Sequence, residues 1–257
     1  MNHPCLNTPV LLSAAAALNI TLTGRQTEQF ERYAELLCEW NQRVNLTAIT
    51  DPTGIAILHF ADSLSVAANI PPRQGASLID VGTGAGFPGL ALKILRPDLR
   101  LLLLDSLNKR VNFLRCVTQE LGLQEVFALH ARAEDAGRQS EYRERFDYAT
   151  ARAVASLPAL CEYCLPFVKK GGLFIAQKGP NPKEEIAAAQ KAITILGGKL
   201  DGVFEFNLPA RRGRGPQRPE EAEEHSFPAR SIIAIQKISQ TPREYPRNAA
   251  KMSKNPL

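Results

Sequence analysis

The stretch "IDVGTGAGFPG", residues 79–89, restricts the fold of this chain more than any other. Four glycines fall within positions 82–89, directly after the apolar run "SLIDV". Glycine costs conformational entropy and is placed where a backbone must turn sharply or be closely approached. Followed by the apolar "GLALKIL", the loop reads as the junction of a buried strand and a helix. From Ser77 onward, short apolar runs alternate with helical periodicity: "SLIDV", a helix over 89–95, "RLLLLD", a helix with Leu107, Val111, Leu114, Val117 and Leu121 on one face, "VFALH", and "FDYATARA". Such alternation specifies a parallel sheet covered on both faces, because each crossover must return the chain to the same edge. The end differs. "KLDGVFEFNLP" and "SIIAIQKI" follow the helical "KEEIAAAQKAITILGG" with no helix between them, and are expected to pair antiparallel at the sheet edge.

Ahead of the sheet the pattern is helical. Phe30, Tyr33, Leu37, Trp40 and Val44 recur at steps of three and four, Thr23 with Gln26 fits a capping box, and "IAILHFADSLSVAANI" reads as a further helix. The expected organisation is a helical subdomain over 1–70, an α/β domain over 71–240, and a basic tail over 241–257 that runs extended. Within the second lies an irregular segment near 210–225, four arginines followed by four glutamates.

Composition excludes several classes. No apolar run is long enough to span a bilayer, and no Lys or Arg precedes the apolar N-terminal stretch, so neither a membrane span nor a secretory signal is expected. Five cysteines without framework spacing read as reduced thiols, and Cys161-x-x-Cys164 has no second ligand pair, so it reads as packing rather than a metal site. A net charge of +5 tilts the choice of partners towards polyanions. A monomeric cytoplasmic protein is expected.

Loops at the carboxyl edge of open α/β sheets bind ligands. Gly82, Gly84 and Gly86 would bare the backbone to such a ligand, and Asp105, 23 residues after Gly82 at the end of the next strand, suits a carboxylate accepting from both hydroxyls of a ribose. Two cofactors compete. Gly84-x-Gly86-x-x-Gly89 matches the dinucleotide fingerprint, but Pro88 interrupts it and Asp80 would place a negative charge beside two phosphates. S-adenosylmethionine carries no phosphate and presents a cationic amino group and sulfonium, so Asp80 favours the methyl donor. The fold expected is therefore a class I methyltransferase: a Rossmann-like, mostly parallel seven-stranded sheet with an antiparallel last strand and a helical N-terminal extension.

Over most of its length the chain resembles the bacterial 16S rRNA guanine-N7 methyltransferases of the glucose-inhibited division protein B family. The resemblance is carried by "WNQRVNLTAITDP", "HFADSL", "LIDVGTGAGFPGLALKILRPDLRLLLLDSLNKRVNFL", "ARAED", "FDYATARAVASL", "AQKG" and "YPR…KNPL". It departs from the family at the Arg/Glu-rich segment and at the N-terminus. The resemblance implies binding of S-adenosylmethionine at Gly82, Phe87, Ala133, Glu134 and Arg152, with S-adenosylhomocysteine as product and 16S rRNA in the small ribosomal subunit as substrate. Arg152 would align donor and acceptor; no general base and no metal are expected. His59 and Asp62 could line the base pocket, Lys178 could meet a phosphate, and Arg211, Arg212 and Arg214 could attract RNA. The alternatives are a nicotinamide-dependent oxidoreductase, which calorimetry with S-adenosylhomocysteine against NAD would separate, and a non-catalytic rRNA-binding assembly factor, against which Asp80, Gly82, Asp105 and Arg152 argue.

Overall fold

The structure is a computed structural model and describes residues 4–152, 155–208 and 229–257. The Arg/Glu-rich segment near 210–225, with Arg211, Arg212 and Arg214, lies outside the described residues. Seven strands form one sheet: β1 (Ser77–Val81), β2 (Arg100–Asp105), β3 (Val126–His130), β4 (Phe146–Arg152), β5 (Val168–Lys178), β6 (Gly198–Asn207) and β7 (Ala229–Lys237), in the order β3-β2-β1-β4-β5-β7-β6. Strands β1 to β5 are mutually parallel, and β7 runs antiparallel between β5 and β6, so the expected final hairpin forms and β6 takes the edge. The chain leaves β1 towards β2 and β3, then returns to β4 on the other flank. Strand order reverses there, and the carboxyl ends of β1 and β4 open a crevice at the reversal.

Each strand is apolar on both faces because both are covered. Leu78, Leu101, Leu103 and Ile232 belong to one hydrophobic cluster, while Ile79, Leu102, Leu104 and Ile233 belong to a second. The first includes residues of the N-terminal helices α1 (Thr8–Ala17) and α2 (Gly24–Val44), a π-helical turn (Ile55–Ala61) and α4 (Asp62–Asn69), together with α5 (Gly89–Leu95) and α6 (Asn108–Glu120); the short α3 (Pro52–Gly54) leads into the π-helical turn. α7 (Ala133–Ala136), α8 (Leu157–Cys164) and α9 (Lys183–Ile195) contribute to the second. Cys161 and Cys164 are buried in it, and burial pushes both thiols up. Among the described residues, no helix is long and apolar enough to cross a membrane.

α2 starts as its sequence requires. Gln26 N donates to Thr23 Oγ1 at 3.3 Å and Thr23 N to Gln26 Oε1 at 2.9 Å, completing the capping box. Gln26 Nε2 also donates to the last carbonyls of α5, Ile94 O at 3.1 Å and Leu95 O at 3.0 Å, and Gln29 Nε2 donates to Leu121 O at 2.9 Å. Helix-terminal carbonyls lack partners within their own helix, so α2 satisfies two helix ends while Phe30, Tyr33 and Leu37 fill the cluster below.

Three expectations are corrected. Leu107 is 42% exposed because it occupies the N-cap of α6, before the apolar face begins, and Phe113 joins the buried face instead. The helix over 55–70 is π-helical in its first half, a widening that apolar periodicity does not encode. The tail is not extended: Arg143 binds three of its carbonyls, Glu162 binds Arg247, and α10 (Ala249–Lys254) buries Met252. The tail therefore folds back onto the protein, and Arg247 is engaged there.

Because the helical layer and the sheet share one cluster, Phe30→Ala is expected to cost about 3–5 kcal/mol by opening a cavity. Chemical denaturation followed by far-UV and near-UV signals should show one transition, shifted in both; two separate transitions would contradict the shared core.

Candidate active site

The glycine loop leaves β1 at the centre of the sheet and enters α5. Gly82 N and Thr83 N donate to Leu104 O at 2.8 Å and 3.1 Å, which pins the first half of the loop to the end of β2. Gly84 adopts φ +60°, and a Cβ built there meets no protein atom within 4 Å. Its bare face opens onto free space. Gly86, at φ +95°, is confined instead, since a Cβ would stand 2.5 Å from Tyr33 Oη and from Leu90 Cδ1. Tyr33 Oη donates to Ala85 O, so α2 braces the loop from behind.

Asp80 is fully buried, and its side chain turns into the protein behind the loop. Oδ2 accepts from Thr83 Oγ1 at 2.6 Å and from Gly89 N at 2.8 Å, whereas Oδ1 has no hydrogen-bond partner among the described residues. Burial pushes the carboxyl up to about 6, against the lowering effect of those two hydrogen bonds and of Arg152. Its influence on a ligand is therefore through loop shape and electrostatic field rather than direct contact. Asp105 lies beside the open face: Oδ2 accepts from Gly84 N and Oδ1 from Leu107 N, both at 2.9 Å, and Arg110 Nη1 stands 3.5 Å from Oδ2. Each carboxylate oxygen can accept more than one hydrogen bond, so acceptor capacity remains for two hydroxyls.

Across the crevice, Arg152 ends β4 with its guanidinium fixed on several sides. Nη1 donates to Leu58 O and to Asp62 Oδ2, both at 3.1 Å, and Nη2 approaches His59 Nδ1 at 3.4 Å. The guanidinium carbon sits 4.9 Å from the centre of the Phe87 ring, and the His59 ring stacks on Phe87 at 4.6 Å with 8° between planes. Arginine cannot accept a hydrogen bond, which makes His59 Nδ1 the acceptor. The ring proton is then on Nε2, 2.8 Å from Thr47 Oγ1. Burial, with Arg152 as a second cause, pushes His59 down to about 3, so the ring is neutral at neutral pH.

The remaining sequence candidates divide. Ala133 and Glu134 open α7 after β3, with Glu134 buried and Arg132 Nη1 3.7 Å from Oε1. Asp62 is buried beside Arg152 as expected. Lys178 is tied down by Ala155 O at 3.0 Å and Glu185 Oε2 at 2.7 Å, partners that compete with a phosphate. Three contributors were missed. Tyr33 reads from sequence only as one apolar helix position. Gln177 donates Nε2 to Asp62 O at 2.7 Å and sits within the quoted "AQKG". Arg230, on β7, places Nε 3.4 Å from Asp62 Oδ1, near enough for charge attraction though not aligned as a hydrogen bond, and no local pattern announces it.

A family model described as rRNA small subunit methyltransferase G matches residues 26–212. The chain belongs to that family. It is 48% identical over 248 residues to the ribosomal RNA small subunit methyltransferase G of Alkaliphilus metalliredigens, covering 96% of this chain and 98% of the relative. The protein of the same name from Acetivibrio thermocellus is also 48% identical, covering 96% of each chain. Among solved structures, the chain is similar in fold to a SAM-dependent O-methyltransferase from Thermotoga maritima, with TM-score 0.53, 16% identity, and 80% of this chain and 73% of that one covered. A precorrin-6y C5,15-methyltransferase from Geobacter metallireducens gives TM-score 0.51 at 14% identity, covering 74% of this chain and 90% of that one. The family assignment decides between the two cofactor readings that the glycine pattern left open: the enzyme is a methyltransferase.

Asp80 and His59 impose opposite pH dependences. The folded pKa of Asp80 is raised, so its contribution is present below the ordinary carboxylate range and is lost as pH rises towards about 6. That of His59 is lowered, so the folded state loses stability as pH falls from the ordinary histidine range towards about 3. Asp80→Asn removes the first alone. Urea denaturation between about pH 4 and 7 should therefore show stability rising with pH more steeply in the variant than in the wild type, by up to about 1–3 kcal/mol over the window. Parallel curves would contradict a raised Asp80 pKa.

Proposed function

We propose that the protein transfers a methyl group from S-adenosylmethionine to N7 of one guanine in 16S rRNA of the small ribosomal subunit. The observation that carries the cofactor assignment is the cradle at Gly84. Its backbone is exposed to free space, its N–H is held by Asp105, and it stands at the sheet's strand reversal in a chain of this family. Asp105 would take the ribose, Gly82 and Gly84 would face the donor's backbone-contacting side, and Ala133 with Glu134, following β3, would meet the adenine edge. Cation compatibility also fits, because the buried Asp80 carboxylate and its Oδ1, unpaired among the described residues, lie directly behind the loop. When bound, S-adenosylmethionine supplies an electrophilic methyl on a sulfonium.

Guanine N7 carries a free lone pair, so no proton has to leave before attack, and the residues present agree with that requirement. His59 is neutral and already hydrogen-bonded through both nitrogens, so it is not free to act as a general base. The chain contributes alignment. Arg152 is held by Leu58 O, Asp62 and the Phe87 ring, so the N–H groups these contacts leave over would be presented from a fixed frame. A planar fork of this kind can hold guanine O6 or an adjacent phosphate. N7 is hidden in the deep major groove of A-form RNA, so the target would be an unpaired or unstacked guanine.

Arg152→Lys keeps the charge but loses the fork. The variant is expected to fold and to bind S-adenosylmethionine within about tenfold of wild type, while methyl transfer at saturating donor falls by roughly a hundredfold. Single-turnover transfer to 16S rRNA, followed by mass mapping of the modified nucleotide, tests both parts. Near wild-type transfer would remove Arg152 from the reacting centre, and a product other than N7-methylguanine would overturn the acceptor assignment.

A further inference from the structure

The C-terminal residues Thr241–Arg247 are bound to the connection after α7 by contacts that methyl transfer does not by itself require. One guanidinium, that of Arg143, donates to four backbone carbonyls. Nη1 reaches Gly137 O at 3.0 Å and Tyr245 O at 2.8 Å, and Nη2 reaches Thr241 O at 2.7 Å and Pro242 O at 3.1 Å. Arg138 Nη2 donates to Glu244 O at 2.9 Å, and Thr241 N donates to Glu144 Oε1 at 2.8 Å. At the far end of the segment, Glu162 holds Arg247 in a bidentate pair, Nε to Oε1 at 2.8 Å and Nη2 to Oε2 at 2.6 Å, with Arg247 N on the same Oε1 at 2.7 Å. The Glu162 side chain is only 2% exposed, so this anchor is charge-assisted and shielded from solvent.

Gly137 is the point where this strap meets α7. Its N–H donates to Ala133 O at 2.8 Å, closing the turn, and its carbonyl is one of the four held by Arg143. A Cβ on Gly137 would stand 3.2 Å from Pro246 Cγ and 3.1 Å from Ala133 O, so the strap is packed against the closing residue of the turn. α7 spans only four residues, Ala133–Ala136. A single turn of helix is far below the length that holds its own conformation in water, so its orientation has to be imposed from outside. Ala136 packs into the core shared with α8, and the strap and Arg143 hold the C-terminal end of the turn.

We infer that the C-terminal strap positions α7 for the cofactor, with Arg143 as a positioning residue that acts through Gly137 on Ala133 and Glu134. This rests on the reading that Glu134 meets the adenosine end of S-adenosylmethionine. Arg143 touches neither cofactor nor RNA in this scheme; it sets where the first two residues of α7 stand. Loosening the strap should therefore weaken cofactor binding without affecting the chemical step or the RNA.

The test uses the full-length protein carrying Arg143→Lys, which keeps the charge but cannot span four carbonyls, and Glu162→Gln, which keeps the shape of the distal anchor and removes its charge. Glu134→Gln serves as the reference. For Arg143→Lys, calorimetry with S-adenosylhomocysteine should show affinity reduced about tenfold, and KM for S-adenosylmethionine should rise in parallel. The value of kcat at saturating donor and KM for a small-subunit rRNA transcript should stay within about twofold of wild type. Backbone hydrogen exchange at 133–137 should accelerate. Glu162→Gln should move the same quantities in the same direction, and it preserves the test if Arg143→Lys fails to fold. If Glu134→Gln weakens S-adenosylhomocysteine binding while both strap variants leave it unchanged, the strap inference is overturned. If Glu134→Gln leaves binding unchanged, the adenosine reading fails instead. Equal losses of cofactor and rRNA binding in the strap variants would reduce Arg143 to a general structural role.

Discussion

Burying the Asp80 carboxylate is costly unless donors replace the water it loses, and the two donors that replace it, Thr83 Oγ1 and Gly89 N, lie on either side of the glycines between. The loop is thereby drawn around one anion. Its first half is pinned to the end of β2 through Leu104 O, its middle is braced through Ala85 O by Tyr33, and its exit starts α5 on the residue whose N–H Asp80 accepts. The direction in which Gly84 opens follows from these three attachments. Among the described residues only one oxygen of Asp80 has hydrogen-bond partners, and burial holds the carboxyl above the ordinary carboxylate range.

The helical layer is what turns a generic cofactor fold into a site with two walls. α2 supplies Tyr33 and the glutamines that end α5 and α6, while the π-helical turn delivers His59 onto Phe87 and backbone carbonyls onto Arg152. Phe87 belongs to the loop, His59 to the helical layer and Arg152 to the sheet, and the stack of ring on ring on guanidinium joins the three. The order along the crevice is therefore fixed by packing. A neutral imidazole suits that place, since a second cation beside Arg152 would repel it, and burial together with Arg152 itself holds His59 in the neutral form. Asp62, shared between Arg152 and Arg230, supplies the countercharge.

On the opposite flank, the short α7 packs into the core shared with α8 and is also met by residues more than a hundred positions away in sequence. Arg143 binds carbonyls on both sides of that interval, and Glu162 anchors its far end through Arg247. Both the glycine loop and α7 are thus held by elements outside the sheet.

Periodicity and glycine placement alone determined a good deal. They marked the strand segments quoted between "SLIDV" and "SIIAIQKI", the parallel arrangement, the final antiparallel pair and the α2 capping box, because these depend on backbone preference and on alternation over a few residues. They also singled out Asp80 and Asp105, whose meaning lies in standing at strand ends, whereas Arg152 was pointed to by the family resemblance. Tertiary structure alone decided which way those groups turn. Asp80 faces inward because Gly89 N and Thr83 Oγ1 are the donors within reach; Lys178 is occupied because Glu185 packs across from it; Leu107 is exposed because the helix begins one residue later. Arg230, Gln177, Arg143 and the folded-back tail left no local signal, since each finds partners more than 80 positions away in sequence. Sequence pattern reports the face on which a side chain stands, whereas its partner is set by long-range packing, and it is the partner that fixes its charge, its orientation and its use.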